Sequence, residues 1–348
     1  MIDLHQVHGP RRRHRQKMDK LATASILALL LVLMGCSTTP DTWSIEHEVP
    51  EAALLSVLST DLGVYVVGAD DGEGPVVLRG QAGQGDQEGE WERLWTGDRG
   101  DLWWVTEEAD GSVLMGGEDG RILRYDPDRG TFEAYVTPRG VTIFGIWSGP
   151  DGTAYAVGGD INVETARGEL WIRQDGEWAR DERVPAEWLD AVLMFKVWGS
   201  NANDVWAVGE SGTVLHFDGT AWEQMPAPVS TRLLTVHGNT ADGPIMVGGA
   251  GNGVLLEMSG GTLTDRMPPF MPGANGVFVE QSGTAWVVGN QGTVLSREAG
   301  GEWLVDETTP TRLDLHAITV DSEGAVWAVG GALLSPRFDQ GIVVRLGQ

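Results

Sequence analysis

The sequence predicts an all-β protein, a seven-bladed β-propeller of four-stranded antiparallel blades. Composition is the first reason: 49 Gly and 15 Trp stand among 348 residues, and no long helical periodicity follows Cys36. The second is one complete four-stranded unit from Val197 to Trp222, V-W-G-S-N-A-N-D-V-W-A-V-G-E-S-G-T-V-L-H-F-D-G-T-A-W, with degraded copies along the chain. The third is physical. A single copy has two apolar sheet faces and buries both only when stacked against others.

Within the complete copy, Asp204 to Val208 reads as a strand of β-branched and aromatic residues ended by Gly209. Glu210-Ser211-Gly212 reads as a tight turn, Thr213 to Phe217 as a second strand, and Asp218-Gly219 as a hairpin signal before Trp222. Aligning on Gly209 gives Gly68, Gly116, Gly158, Gly248, Gly289 and Gly330 as its counterparts. The successive spacings of 48, 42, 51, 39, 41 and 41 residues suit propeller blades with loop insertions. An apolar triplet opened by a bulky residue precedes each glycine, as in Tyr65-Val66-Val67, Trp206-Ala207-Val208 and Trp327-Ala328-Val329. Unbroken apolar runs suit strands covered on both faces. The glycine implies positive φ or a close backbone approach at the strand end.

Two further series agree. Val57, Val105, Ile146, Val197, Val236, Val277 and Ile318, 11 or 12 residues upstream, mark the innermost strand A. Apolar pairs after each glycine, such as Val214-Leu215 and Val294-Leu295, mark strand C. Strand D is flagged by one large apolar residue: Trp91, Phe132, Trp178, Trp222, Leu263 and Trp303. These are six, and the seventh counterpart stands at the other end, where Asp41-Thr42-Trp43-Ser44-Ile45-Glu46 matches Gly301-Glu302-Trp303-Leu304-Val305-Asp306. A strand at about 42–48 is therefore expected to pair with the last blade, closing the ring and removing its exposed edges.

The first 35 residues read as a targeting segment. Arg11, Arg12, Arg13, Arg15, Lys17 and Lys20 form a basic stretch before the 15-residue apolar run Leu21 to Gly35, a signal-peptide pattern too short to span a bilayer. Met18 is also placed to be a start, which would make residues 1–17 an extension. Leu33-Met34-Gly35-Cys36 resembles the bacterial lipobox, with Met where a small residue is commoner. That resemblance implies cleavage before Cys36 and lipidation of its thiol, with residues 36–41 as a tether and 42–348 as the propeller. Cys36 is the one cysteine, so no internal disulfide is expected. Ser37 after it points toward the outer membrane or cell surface.

Removing that leader takes 6 of 24 basic and 2 of 50 acidic residues, leaving 18 against 48. Lys196 is then the one lysine. Such a surface argues against nucleic acid and against direct adhesion to anionic lipid.

The pattern W-G-S-x-x-x-D-V-W-A-V-G-x-x-G-T-V-L-x-x-D-G-x-x-W resembles the repeat of bacterial exported propellers, and more distantly Asp-box and photosystem II assembly-factor propellers. The resemblance covers nearly all of residues 42–348 and implies a monomeric binding scaffold for a protein or glycan of the envelope. A channel-centred lyase or glycosidase and a structural subunit of an envelope complex are the alternatives.

In such a fold the B–C turns and D-to-A links share one face, the usual ligand face. Extended segments there are Gly159 to Gly168, Ala179 to Val192 and Gly331 to Gly341. They make Asp160, Asn162, Glu164, Trp188, Asp190, Arg337 and Asp339 the candidate ligand contacts, with Arg232 and Arg312 where strands A begin. The 80–90 loop falls on the opposite face. For catalysis the sequence offers little: His47, His216, His237 and His316 are isolated, no metal-binding His spacing occurs, and G-x-S-x-G is absent. A sialidase needs an arginine cluster with Tyr and Glu partners, and the arginines read as scattered. No cofactor is expected. Asp-Gly turns such as Asp151-Gly152 have the ordinary hairpin explanation, and a calcium site needs more converging oxygens than a sequence can show.

Overall fold

The computed structural model describes residues 42–81, 89–160, 166–174, 176–335 and 337–347. Cys36 and the leader lie outside them, as do Asn162, Glu164 and most of the 80–90 loop. The described residues form seven four-stranded antiparallel sheets, arranged as a propeller. The innermost strands of blades 1 to 7 are Leu54–Thr60, Leu102–Glu107, Thr142–Ser148, Met194–Asn201, Leu233–Asn239, Ala274–Val279 and Asp314–Val320.

Blade 7 takes its outer strand from the other end of the chain, since Trp43–Val49 pairs antiparallel with Asp339–Leu346. Trp43 lies opposite Leu346 and is 8% exposed in the interface between blades 6 and 7. Its Nε1 donates to Asp306 Oδ2 at 2.8 Å. Trp222 makes the equivalent bond one interface away from the consensus blade, to Asp181 Oδ2 at 3.0 Å. The matched tryptophans therefore do the same work: each plugs an interface and spends its one polar atom on the preceding blade.

Every blade interface holds its own apolar cluster. Strand B of blade 4, Asp204–Gly209, shows why its sequence is apolar without alternation. Val205 and Ala207 face blade 3, while Trp206 and Val208 face blade 5. A period-2 strand buried on both sides has no polar side. Trp206 also stacks on His216, its cross-strand partner, at 3.9 Å, and donates to Asp204 Oδ1 at 3.0 Å.

The glycine series holds with one correction. In blade 2 the residue opposite the start of strand A is Gly117, not Gly116, because Leu102 pairs with Gly117 as Met194 pairs with Gly209. Adjacent glycines hid the slip. None of these glycines has positive φ, so close approach is the reason for them. A Cβ on Gly209 would sit 2.3 Å from Leu193 O, and one on Gly117 would sit 2.5 Å from Asp101 O. Another difference is small: strand D of blade 6 is Leu304–Asp306, so Trp303 stands just before it, its Nε1 donating to Glu257 Oε1 at 2.7 Å.

Candidate functional site

Each strand A carries a bulge after its first or second pair, and the seven bulged residues are Leu55, Trp103, Phe144, Phe195, Leu234, Asn275 and His316. An extra residue in one strand re-aims its side chain. Here the bulge sits at the end of strand A nearest the D-to-A link, and the side chains converge around the ring axis. Trp103 meets Phe144 of the next blade edge-on at 5.3 Å and reaches His316, two blades away, at 6.4 Å. Phe338, from the B–C loop of blade 7, meets the same indole at 5.8 Å, and Phe144 meets Phe195 at 5.7 Å. The ligand-face end of the channel therefore has an aromatic floor.

Polar groups stitch the strands A together beneath it. Thr235 Oγ1 donates to Asn275 O at 2.6 Å, and Asn275 Nδ2 donates to Leu315 O at 2.9 Å. His316 Nδ1 lies 2.5 Å from Leu55 O. Lys196 is 4% exposed; its Nζ donates to Phe144 O at 2.5 Å and lies 4.4 Å from the centre of the Trp104 ring. Burial holds its pKa down at about 7. His316 is held at about 4, first by burial and then by the nearby Lys196. His237, burial-shifted to about 4, accepts the Val279 N–H at Nδ1, 3.0 Å away, and stacks on Phe278. These titratable groups serve the wall of the channel.

Three short B–C turns, Glu118–Gly120, Glu210–Gly212 and Asn290–Gly292, are built alike. Their middle residues Asp119, Ser211 and Gln291 are left-handed at φ 57°, 57° and 61°. The glycine that follows touches the next D-to-A link, so that a Cβ on Gly212 would lie 2.1 Å from Val229 O. Nothing larger fits there.

Blade 3 departs from this pattern. Its strands B and C run on to Asp160 and from Arg167, residues that face each other across the ladder. Arg167 also bridges to Asp190 of the following link, its Nε 3.8 Å from Asp190 Oδ1. Two of the sequence-predicted residues, Asp160 and Asp190, thus flank one arginine, the first as its cross-strand neighbour and the second as its ion partner. Beside them Glu169 is buried with its carboxylate ringed by three guanidiniums. Arg139 Nε is 3.1 Å away, Arg167 Nε 3.9 Å and Arg180 Nε 4.0 Å. Burial pushes the Glu169 carboxyl above its usual range, against the pull of Arg139, Arg180 and Arg167. The arginines read as scattered in sequence therefore do converge, on the D-to-A link, strand C and strand D of one blade.

The other candidates do not join this group. Trp188 closes a 3-10 turn, Ala186–Trp188, and packs half-buried against the core between blades 3 and 4. Arg337 is exposed beside Phe338, and Asp339 opens strand C of blade 7 with Oδ1 buried. Arg232 and Arg312 are exposed on separate links; Arg232 Nε lies 3.5 Å from Gly249 O. Among the described residues no three or more His, Cys, Asp or Glu groups converge as metal ligands.

The same face also carries exposed apolar side chains. Among the described residues Phe270 (101% exposed), Leu334 (79%) and Val136 (68%) are the three most exposed large hydrophobics, and Trp95 is 60% exposed. All four lie in, or at the ends of strands leading into, D-to-A links or the blade 7 B–C loop. Phe270 has φ 64°, a conformation a bulky residue rarely adopts.

No family model and no curated protein matches the chain. Solved structures do resemble it. The WD40 β-propeller domain of Doa1 superposes with a TM-score of 0.61 at 13% identity, covering 87% of this chain and 96% of that one. Virginiamycin B lyase from Staphylococcus aureus gives 0.65 at 14% identity, covering 88% and 99%. A catalytically inactive form of that lyase with quinupristin gives 0.67 at 12%, again covering 88% and 99%. At such identities the likeness is one of fold.

Proposed function

We propose that this protein is an exported, lipid-anchored propeller that binds a protein or glycan of the cell envelope through its B–C and D-to-A loop face. One observation carries the binding face: among the described residues the three most exposed large hydrophobic side chains, Phe270, Leu334 and Val136, all lie on its loops or strand ends. Burying such side chains against a partner is favourable. The aromatic floor of Trp103, Phe144 and Phe338 adds flat faces on which a sugar ring or an apolar side chain can stack.

We read this face as binding rather than catalysing. The titratable groups nearest the axis, Lys196 and His316, each engage a backbone carbonyl and are packed into the channel wall. The anchor is argued from Cys36 and the apolar run before it, and the acidic surface suits a protein that must avoid adhering to anionic lipid.

The test of the face is Phe270→Ser combined with Leu334→Ser. Capture of envelope proteins and binding across a neutral and acidic glycan panel should both fall, with the melting temperature unchanged. Unchanged binding in the double variant refutes the face; turnover of a glycan in that panel refutes the binding-only reading. Cys36→Ser should release the protein from membranes on fractionation, and continued membrane association would refute the anchor.

A further inference from the structure

We infer that the arginine cluster of blade 3 is an oxyanion site that takes the carboxylate or sulfate group of an acidic glycan, an inference that rests on the binding face proposed above. The protein carries a formal net charge of −26, so a point where three cations meet against its own charge balance stands out physically. Arg139, Arg167 and Arg180 come from three different segments and approach one carboxylate, Glu169, which is 1% exposed. Asp190 pairs with Arg167, and Asp160 lies opposite Arg167 in the ladder.

The geometry of approach matters more than the count. All three arginines present Nε to Glu169, and neither carboxylate oxygen has a well-aligned hydrogen bond. Their terminal nitrogens have no hydrogen-bond partner among the described residues. A guanidinium binds carboxylate and sulfate best through a pair of parallel N–H donors. Glu169 thus orients the three side chains while leaving part of each fork unspent. The arginine side chains are 48%, 36% and 25% exposed, which leaves them open to solvent from the loop face.

The acidic surface also shapes specificity. It repels polyanions generally, so a bound acidic chain must find local compensation, which this cluster supplies.

The test is titration of the full protein with polygalacturonate, dextran sulfate, neutral dextran and polyglutamate, followed by Arg139→Gln and Arg167→Gln variants. Polygalacturonate or dextran sulfate should bind, with affinity falling as salt rises. Each substitution should weaken it about tenfold, the loss of one charge-assisted contact. Arg139→Lys, which keeps a cation beside the buried Glu169, should hold the wild-type melting temperature. Lys in place of Arg139 should restore part of the salt dependence without full affinity. Arginine variants that bind like wild type overturn the site, as does equal binding of neutral dextran; binding of polyglutamate alone overturns the glycan class. If the arginine variants leave glycan binding intact while the Phe270 and Leu334 double variant abolishes it, the inference fails and the binding face stands.

Discussion

Blades 3 and 4 share four strands, the same bulge and the same interface packing, yet they differ on one face. Blade 4 turns from strand B to strand C through Glu210–Gly212, with Gly212 pressed against the next link. Blade 3 makes the same connection with longer strands and gathers Arg139, Arg167, Arg180, Glu169 and Asp190 there. What is common to the two blades is core, and what differs is site. A repeat fold can vary loops on one face because stability comes from neighbour packing, which those loops hardly touch.

The largest expected effect tests the common part. Trp43→Ala should lower stability by about 3–5 kcal/mol, since it removes a buried indole and strands Asp306 without its donor. Trp222→Ala should cost a similar amount. If thermal or denaturant unfolding of Trp43→Ala matches wild type, the terminal strand does not close the ring.

Next comes acid. His237 and His316 have folded pKa values of about 4 against an ordinary 6.5, so the unfolded chain takes up these protons first as pH falls. Their contribution is complete above about pH 6.5 and is lost as pH drops through 6.5 toward 4. Each is worth about 3 kcal/mol. His316→Gln should flatten part of that loss, and a variant with the wild-type acid profile would show that the ring is not buried as described. Lys196, held at about 7, acts in a higher window: folding favours its neutral form, so stability falls as pH drops from 10.5 to 7. Lys196→Met should therefore raise the melting temperature at pH 7 by a few degrees. A lower melting temperature would mean that the carbonyl hydrogen bond outweighs burial of the amine.

The smallest effect tests the separation itself. Arg232→Ala and Arg312→Ala, exposed on separate links, should change stability by no more than about 0.5 kcal/mol and leave acidic-glycan binding unaltered. Loss of binding in either would extend the site beyond blade 3.

The architecture was legible because packing on both faces writes a repeated signature. Glycines are forced wherever backbones approach, apolar triplets wherever a strand lies between two blades, and the Trp43 segment repeats the Trp303 segment because both meet the same kind of interface. The arginine cluster was legible only as a stretch of long loops. Loop length pointed to Asp160 and Asp190, but Arg167, opposite the one and paired with the other, sits in a strand, where a charge reads as solvated. Arg139 and Arg180 belong to different segments, and no spacing rule links them. Trp188 shows what loop length leaves unread: an aromatic in a long link reads as a ligand contact, and here it also packs half-buried against the core. The bulged ring left no mark at all, since Leu, Trp, Phe, Asn and His occupy it in turn.

The most direct measurement is hydrogen–deuterium exchange of the protein with and without polygalacturonate. Protection is predicted at 137–142, 166–169 and 180–192, with no change at Glu210–Gly212. Protection centred on the regular turns, or on the opposite face, would contradict the division between a repeated frame and a proposed site built on blade 3.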